Sequence, residues 1–357
     1  MSKNIIIHGM IDPHVHLRGM EWAHKGTFYS ETCAAVAGGY WAIMDMPNTP
    51  PHTLTEANLD HKLAEIGANA VCDWGVYFCA SATGNWMMYP HIFDKVCGVK
   101  MFNNDTTGHL LVEDNTIRDG HYAHWDGRKI FANHAEDETC AEIIKLVRKY
   151  RKPTHILHVS TAYEVRLIRK AKADGLPITC GACPHHLFLT EADLSHLGTL
   201  GWMKPTLKTQ ADQDELWRGI ADGTIDIIES DHAPHHLSEK ASDKPPYGVP
   251  GLETTLPLML TAVHDGRISL EKVIDLVANN PRKIWGLTCP PETYCVVEID
   301  ESRILAKNHL HSIVGWSPFE GMRLYGIVCE TWIRGTKVYD GEKILVKGGF
   351  GVNLYGS

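Results

Sequence analysis

Eight short apolar runs rich in β-branched and aromatic residues, alternating with stretches of helical periodicity, constrain this chain more than any other feature. They are IIIHGMIDPHVH ending at His16, YWAIMDM from Tyr40, CDWGVYFCA from Cys72, CGVKMF from Cys97, KIFANHA from Lys129, THILHVS from Thr154, PITCGAC from Pro177 and IDIIESDHA from Ile225. Strands separated by helices run parallel, because a helical crossover returns the chain to the same end of the sheet. Eight such units predict an α/β fold closed as a (β/α)8, or TIM, barrel. A doubly wound open sheet is the alternative; it lacks the Gly-rich phosphate-binding turn that usually accompanies it. A chain of 357 residues holds one such barrel with a small appendage and needs no second large domain.

Between the runs, TLTEANLDHKLAEIGA is expected to be a helix capped by Thr53 with Glu56 three residues on, and DETCAEIIKLVRKYR starts acidic and ends basic, as the helix dipole favours. Beyond about Arg282 the pattern changes to the strand-like runs TYCVVEID, RLYGIVCETWIRG and EKILVK, with Asp340-Gly341 as the hairpin turn signal. The expected division is a barrel over residues 10–290 and a small β appendage formed by residues 1–9 and 291–357.

The formal charge of -9 argues against general affinity for nucleic acid or an anionic membrane surface, since both require a basic face. An anionic substrate would therefore need positive charge concentrated in the site. No basic, long apolar leader and no 18-residue apolar stretch is found, so a cytoplasmic protein is expected. Ten cysteines without a framework pattern read as reduced thiols. The anomaly is the 22 histidines, the commonest metal-ligating residue type.

In a barrel of this kind chemistry sits at the C-terminal strand ends. His14 and His16 close the first run, and residues i and i+2 of a strand point to one side, so both imidazoles can reach one ion. His134 in FANHAED, His158 in ILHVS and Asp231 in ESDHAPHH end the fifth, sixth and eighth runs. Any one of them alone is equally well a hydrogen-bonded core residue; together they converge on one barrel mouth. Lys100, ending CGVKMF, would set an ammonium against metal cations. Carbamylation by CO2 resolves the conflict by making an anionic bridge, whereas a lysine snorkelling at the rim is the bland alternative.

The motifs DPHVHLR (12–18), MPNT (46–49), GVK (98–100), NHAE (133–136), LHVS (157–160), PHHLFL (184–189), SDHAPH (230–235), GVPGLET (248–254) and SPFEG (317–321) occur in an order that resembles the dihydroorotases of the amidohydrolase superfamily. The likeness is greatest to the kind found as a domain of the animal multifunctional pyrimidine-synthesis protein, which keeps only a reduced β appendage. The resemblance implies two zinc ions per chain: His14, His16 and Asp231 on the more buried ion, His134 and His158 on the other, N6-carboxylysine at Lys100 between them and a hydroxide completing the bridge. Asp231 would also carry the proton in reversible cyclisation of N-carbamoyl-L-aspartate to L-dihydroorotate.

Arg18 would then fork onto the remaining carboxylate of this anionic substrate, with Asn48 and His235 as hydrogen-bond partners. Gly251 and its neighbours in GVPGLET would offer backbone groups to the ring, and Thr106 in NNDTTGHLLV would belong to a mobile loop that covers it. Thr107 stands where the animal enzymes have Phe, and Lys204 replaces an Arg or Asn at the pocket rim. Animal relatives hold an extra metal through a Cys and a Glu; those positions are Leu157 and Gly181 here, so two metals are expected, not three. Cys180 and Cys183 form a CxxC beside Pro184-His185-His186, but no second ligand pair follows at finger-like spacing. Rival readings are another cyclic amidohydrolase, such as a dihydropyrimidinase or allantoinase, and an inactive dihydroorotase-like subunit that scaffolds a partner. The resemblance also implies a homodimer and is compatible with association with aspartate transcarbamoylase.

Overall fold

The computed structural model describes residues 3–106, 108 and 110–356. After β1 (Asn4–His8), the eight runs supply eight parallel strands in sequence order: β2 (Ile11–Val15), β3 (Ala42–Asp45), β4 (Asp73–Cys79), β5 (Gly98–Phe102), β6 (Ile130–His134), β7 (Thr154–Ile156), β8 (Ile178–Ala182) and β9 (Ile227–Ile228). From β2 to β7 every strand residue is buried, as strands covered on both faces require.

β9 is too short to close the barrel by itself. The seam is finished beyond it, where Val15 bridges His232 in parallel and His16 N–H donates to His232 O at 2.7 Å. Lower down, the Asp12 carboxylate accepts from Ser230 N at 3.2 Å. Burial pushes this carboxyl up to about 7. Closure thus depends on the segments that carry His14, His16 and Asp231, so the seam and the site share one backbone.

The outer helices include α1 (Phe28–Ala37), α2 (Glu56–Asn69), α3 (Asn115–His124), α4 (Glu138–Tyr150), α5 (Ala162–Ala173), α6 (Gln210–Asp222) and α7 (Thr255–His264). α4 buries Cys140, Ile143 and Val147 at helical spacing, opens with Glu138 and closes with Arg148 and Lys149. The cap of α2 is Thr55, whose side chain accepts from Asn58 N at 3.2 Å, rather than Thr53. Thr53 is held by backbone bonds instead, donating to Pro47 O at 3.1 Å and accepting from Cys79 N at 2.9 Å, which delays the helix by two residues.

A separate antiparallel sheet has the order β1-β10-β11-β12, with β10 (Tyr294–Ile304), β11 (Arg323–Ile333) and β12 (Thr336–Tyr339). Its tight turn is Arg334-Gly335, with φ of 52° and 73°, the left-handed pair that suits a two-residue hairpin. Asp340-Gly341 makes a smaller turn in which Asp340 Oδ1 accepts from Glu342 N and Lys343 N, and EKILVK contributes one bridge, Tyr339 to Ile344, instead of a strand. The chain then leaves this sheet: Trp74 N–H donates to Val352 O at 3.0 Å and Leu354 N–H to Trp74 O at 2.8 Å. The tail therefore packs against the start of β4, away from the strand ends that carry the candidate site. Among the described residues no helix is long and apolar enough to cross a membrane.

Candidate metal centre and substrate cleft

His14 lies within β2 and His16 just beyond it; Lys100 is central in β5, His134 ends β6, His158 follows β7 by two residues and Asp231 follows β9 by three. All six line one cleft at the mouth of the barrel. His14 Nε2 and His16 Nε2 approach Asp231 Oδ1 at 3.2 and 3.1 Å. The His158 ring lies 5.1 Å from that of His14 and 4.5 Å from that of His134. Arg18, His158 and Asp231 all adopt positive φ, at 66°, 39° and 45°. Such backbone strain in non-glycine residues concentrates at functional sites, and here it turns three side chains inward.

These side chains are poor at satisfying one another. Among the described residues, Lys100 Nζ is fully buried with no hydrogen-bond partner, 4.7 Å from the Phe102 ring centre, and His158 Nδ1 is likewise unpartnered. Each buried orphan costs about 1–3 kcal/mol. Burial drives the Lys100 amine down to about 7, lowers His14, His16, His134 and His158, and raises the Asp231 carboxyl. Neutral imidazoles with a carboxylate among them form a donor set that fits divalent ions of the zinc type, and the donor atoms of His14, His16 and Asp231 lie within 4.8 Å of one another.

Arg18 is 1% exposed yet lines the cleft, anchored by Nε to Pro234 O at 3.1 Å and Nη2 to His235 Nε2 at 3.0 Å. Burial lowers it to about 10, which leaves it cationic at neutral pH. His235 sits behind it, among Arg18, Lys25 and Lys240, and burial together with these cations keeps it neutral. Asn48 Oδ1 meets His16 Nδ1 at 2.7 Å, fixing that ring. Thr106 and Gly248 line the cleft wall, whereas Gly251 faces away, its N–H donating to His232 Nδ1 at 3.1 Å. Lys204 reaches from the rim to Asp105 O at 2.7 Å, tying the expected covering loop to the cleft edge; Thr107 of that loop lies outside the described residues.

No family model matches the chain. It is 39% identical to the multifunctional protein CAD of Squalus acanthias over 99% of its own length, but spans only 16% of that protein. It is 36% identical to a dihydroorotase of Halobacterium salinarum, covering 95% of this chain and 87% of the relative. The chain belongs to the dihydroorotase family. Among solved structures, the L-hydantoinase (dihydropyrimidinase) of Arthrobacter aurescens superposes with a TM-score of 0.93 at 24% identity, over 99% of this chain and 89% of that one. That likeness shows a shared barrel fold.

Within this dihydroorotase-family site, three residues escaped sequence reasoning. Glu229 is fully buried beneath the cluster: Oε1 accepts from His158 N at 2.5 Å, and Oε2 lies 3.6 Å from His14 Nδ1 and 3.7 Å from His155 Nε2. Those two histidines hold its carboxyl well below the usual range, so it stays anionic. An acidic residue inside the apolar run IDIIESDHA was the available signal. Glu136 pairs with His134 Nε2 at 2.8 Å. Lys240, pushed down to about 7 by burial, donates to Trp202 O, Pro246 O and Gly248 O at 2.9–3.1 Å and so builds the wall that Gly248 presents.

Proposed function

We propose that the protein is a dihydroorotase, interconverting N-carbamoyl-L-aspartate and L-dihydroorotate in de novo pyrimidine biosynthesis. The observation that carries this reading is the buried guanidinium of Arg18 in the same cleft as the His14, His16 and Asp231 donor group. A neutral cyclic amide needs no such cation, whereas a ring bearing a carboxylate is matched by the planar fork of an arginine.

In this reading His14, His16 and Asp231 would hold one zinc ion and His134 and His158 a second, with Lys100 contributing as N6-carboxylysine. A bound pair of this kind supplies Lewis acidity at the reacting carbonyl and hydroxide near neutral pH. Lys100 suits carboxylation because burial leaves much of its amine neutral, and a neutral amine is what combines with CO2. Asp231 takes a proton from the attacking water and delivers it to the departing ring nitrogen; its raised pKa makes it a stronger base than an exposed Asp. In the reverse direction the ureido nitrogen attacks the carboxyl carbon, a C–N bond forms, Asp231 carries the nitrogen's proton to the departing oxygen, and that oxygen leaves as water after taking up one further proton from solvent. Arg18 holds the other carboxylate, while Asn48 and His235 orient His16 and Arg18, and Thr106 and Gly248 border the ring; Gly251, turned toward His232, supports that wall from behind.

The proposed division, a barrel over residues 10–290 with residues 1–9 and 291–357 as the appendage, keeps all of this chemistry in the barrel. The likeness to multifunctional relatives supports association with an aspartate transcarbamoylase. We place the chain in the cytoplasm as a homodimer, a state that light scattering would read directly. The activity is tested by comparing zinc-loaded protein on dihydroorotate and on dihydrouracil. Turnover of the first in clear preference is expected; preference for the second would make it a dihydropyrimidinase, and turnover of neither would favour a scaffold.

A further inference from the structure

At the end of β8, Cys183, His185 and His186 form a second cluster of ligand-type atoms, all within 4.8 Å of one another and all buried. The CxxC pairing is absent, because Cys180 Sγ turns the other way and donates to Thr224 O at 3.3 Å. Cys183 instead stands directly before the short helix Pro184–Phe188, whose first turn brings both imidazoles round to the thiol.

Two of the three side chains carry an unsatisfied nitrogen: among the described residues, buried His185 Nε2 and His186 Nδ1 find no hydrogen-bond partner. The tautomer of His186 follows from its other nitrogen: Nε2 lies 3.0 Å from Pro205 O, which only accepts, so the proton is on Nε2 and Nδ1 carries a bare lone pair. Burial drives His186 down to about 4, so the ring is neutral. A buried lone pair on His186 and an unsatisfied ring nitrogen on His185, grouped with a thiol, are costly without a fourth participant.

We propose that Cys183, His185 and His186 bind a zinc-class divalent ion, separate from the pair assigned to His14, His16, Lys100, His134, His158 and Asp231. One thiolate with two imidazoles is the borderline-soft donor set that suits such an ion. Donors around a tetrahedral zinc stand roughly 3.5 Å apart, so modest side-chain rotation closes the present spacing. Binding releases the thiol proton to solvent as the sulfur–metal bond forms, and no oxidant or reductant is involved. The third site is not the Cys–Glu site of animal relatives, since Leu157 and Gly181 occupy those positions. The inference does not require the dihydroorotase reading.

Cobalt substitution tests it. The other six candidate ligands include no sulfur, so a thiolate-to-cobalt charge-transfer band in the near ultraviolet reports a cysteine ligand, and its loss on substituting Cys183 among the ten free cysteines assigns it to that residue. The full chain, stripped and reloaded with cobalt, is expected to show the band, and Cys183→Ala to lose the band together with about one equivalent of bound metal. Absence of the band in the unmodified chain at saturating cobalt overturns the proposal whether or not the variant folds. So does a band that persists in a folded Cys183→Ala or Cys183→Ser protein.

Discussion

Gly181 on β8 and Glu229, one residue beyond the end of the adjacent β9, share one space: a Cβ at residue 181 would lie 2.5 Å from Glu229 Oε1. The missing side chain is what lets a buried carboxylate reach both His158 N and the underside of His14. Gly181→Ala should therefore displace Glu229 and loosen two proposed ligands at once. Supporting residues of metal ligands typically govern about 10–100-fold in affinity or activity, and a loss in that range is expected. Titration of the stripped protein with zinc measures it, and unchanged affinity would show that Glu229 has no positioning role.

Arg18 is fixed by Pro234 O and His235 before any substrate arrives. Arg18→Met keeps much of the volume and removes the cation. Losing one charge-assisted, bidentate contact should cost about 1.5–3 kcal/mol, roughly 10–150-fold in kcat/KM for dihydroorotate. Any weak turnover of dihydrouracil should be spared. Equal losses on both substrates would point to damage of the site rather than of a carboxylate clamp.

His311 Nδ1 meets Glu253 Oε1 at 2.9 Å, and this hydrogen bond raises the histidine above its ordinary value. Its folded pKa exceeds the unfolded one, about 6.5. The extra stability is therefore complete below that value and disappears as pH rises through the folded pKa. His311→Ala should lose about 0.5–1 kcal/mol more at pH 6 than at pH 9. Denaturant melts at the two pH values supply the comparison, and a larger loss at pH 9 would contradict it.

The barrel was readable because parallel strands buried on both faces leave apolar runs broken by few polar residues, as in WAIM and VYFCA. The cleft was readable because ligand-type residues stood at the ends of those runs. The rest depended on contacts between distant segments. Thr53 and Thr55 are both plausible caps, and the choice was made by Pro47 and Cys79 binding the Thr53 backbone. Arg334-Gly335 was overlooked as a turn because arginine rarely signals positive φ. Glu229 looked like an interruption of a strand, and its purpose depends on Gly181 one strand away. Lys240, a charged residue in a polar stretch, gave no sign that three carbonyls would bury it.

The central claim is a metal-dependent dihydroorotase whose two ions are bridged through Lys100. Its most direct test is an assay of zinc- and bicarbonate-treated protein on N-carbamoyl-L-aspartate and on dihydroorotate, with Lys100→Ala measured alongside. Turnover in both directions by the unmodified chain, and a fall of at least about 100-fold in the variant, is the expected result. Normal activity in Lys100→Ala, or no turnover in either direction by the unmodified chain, would contradict the account.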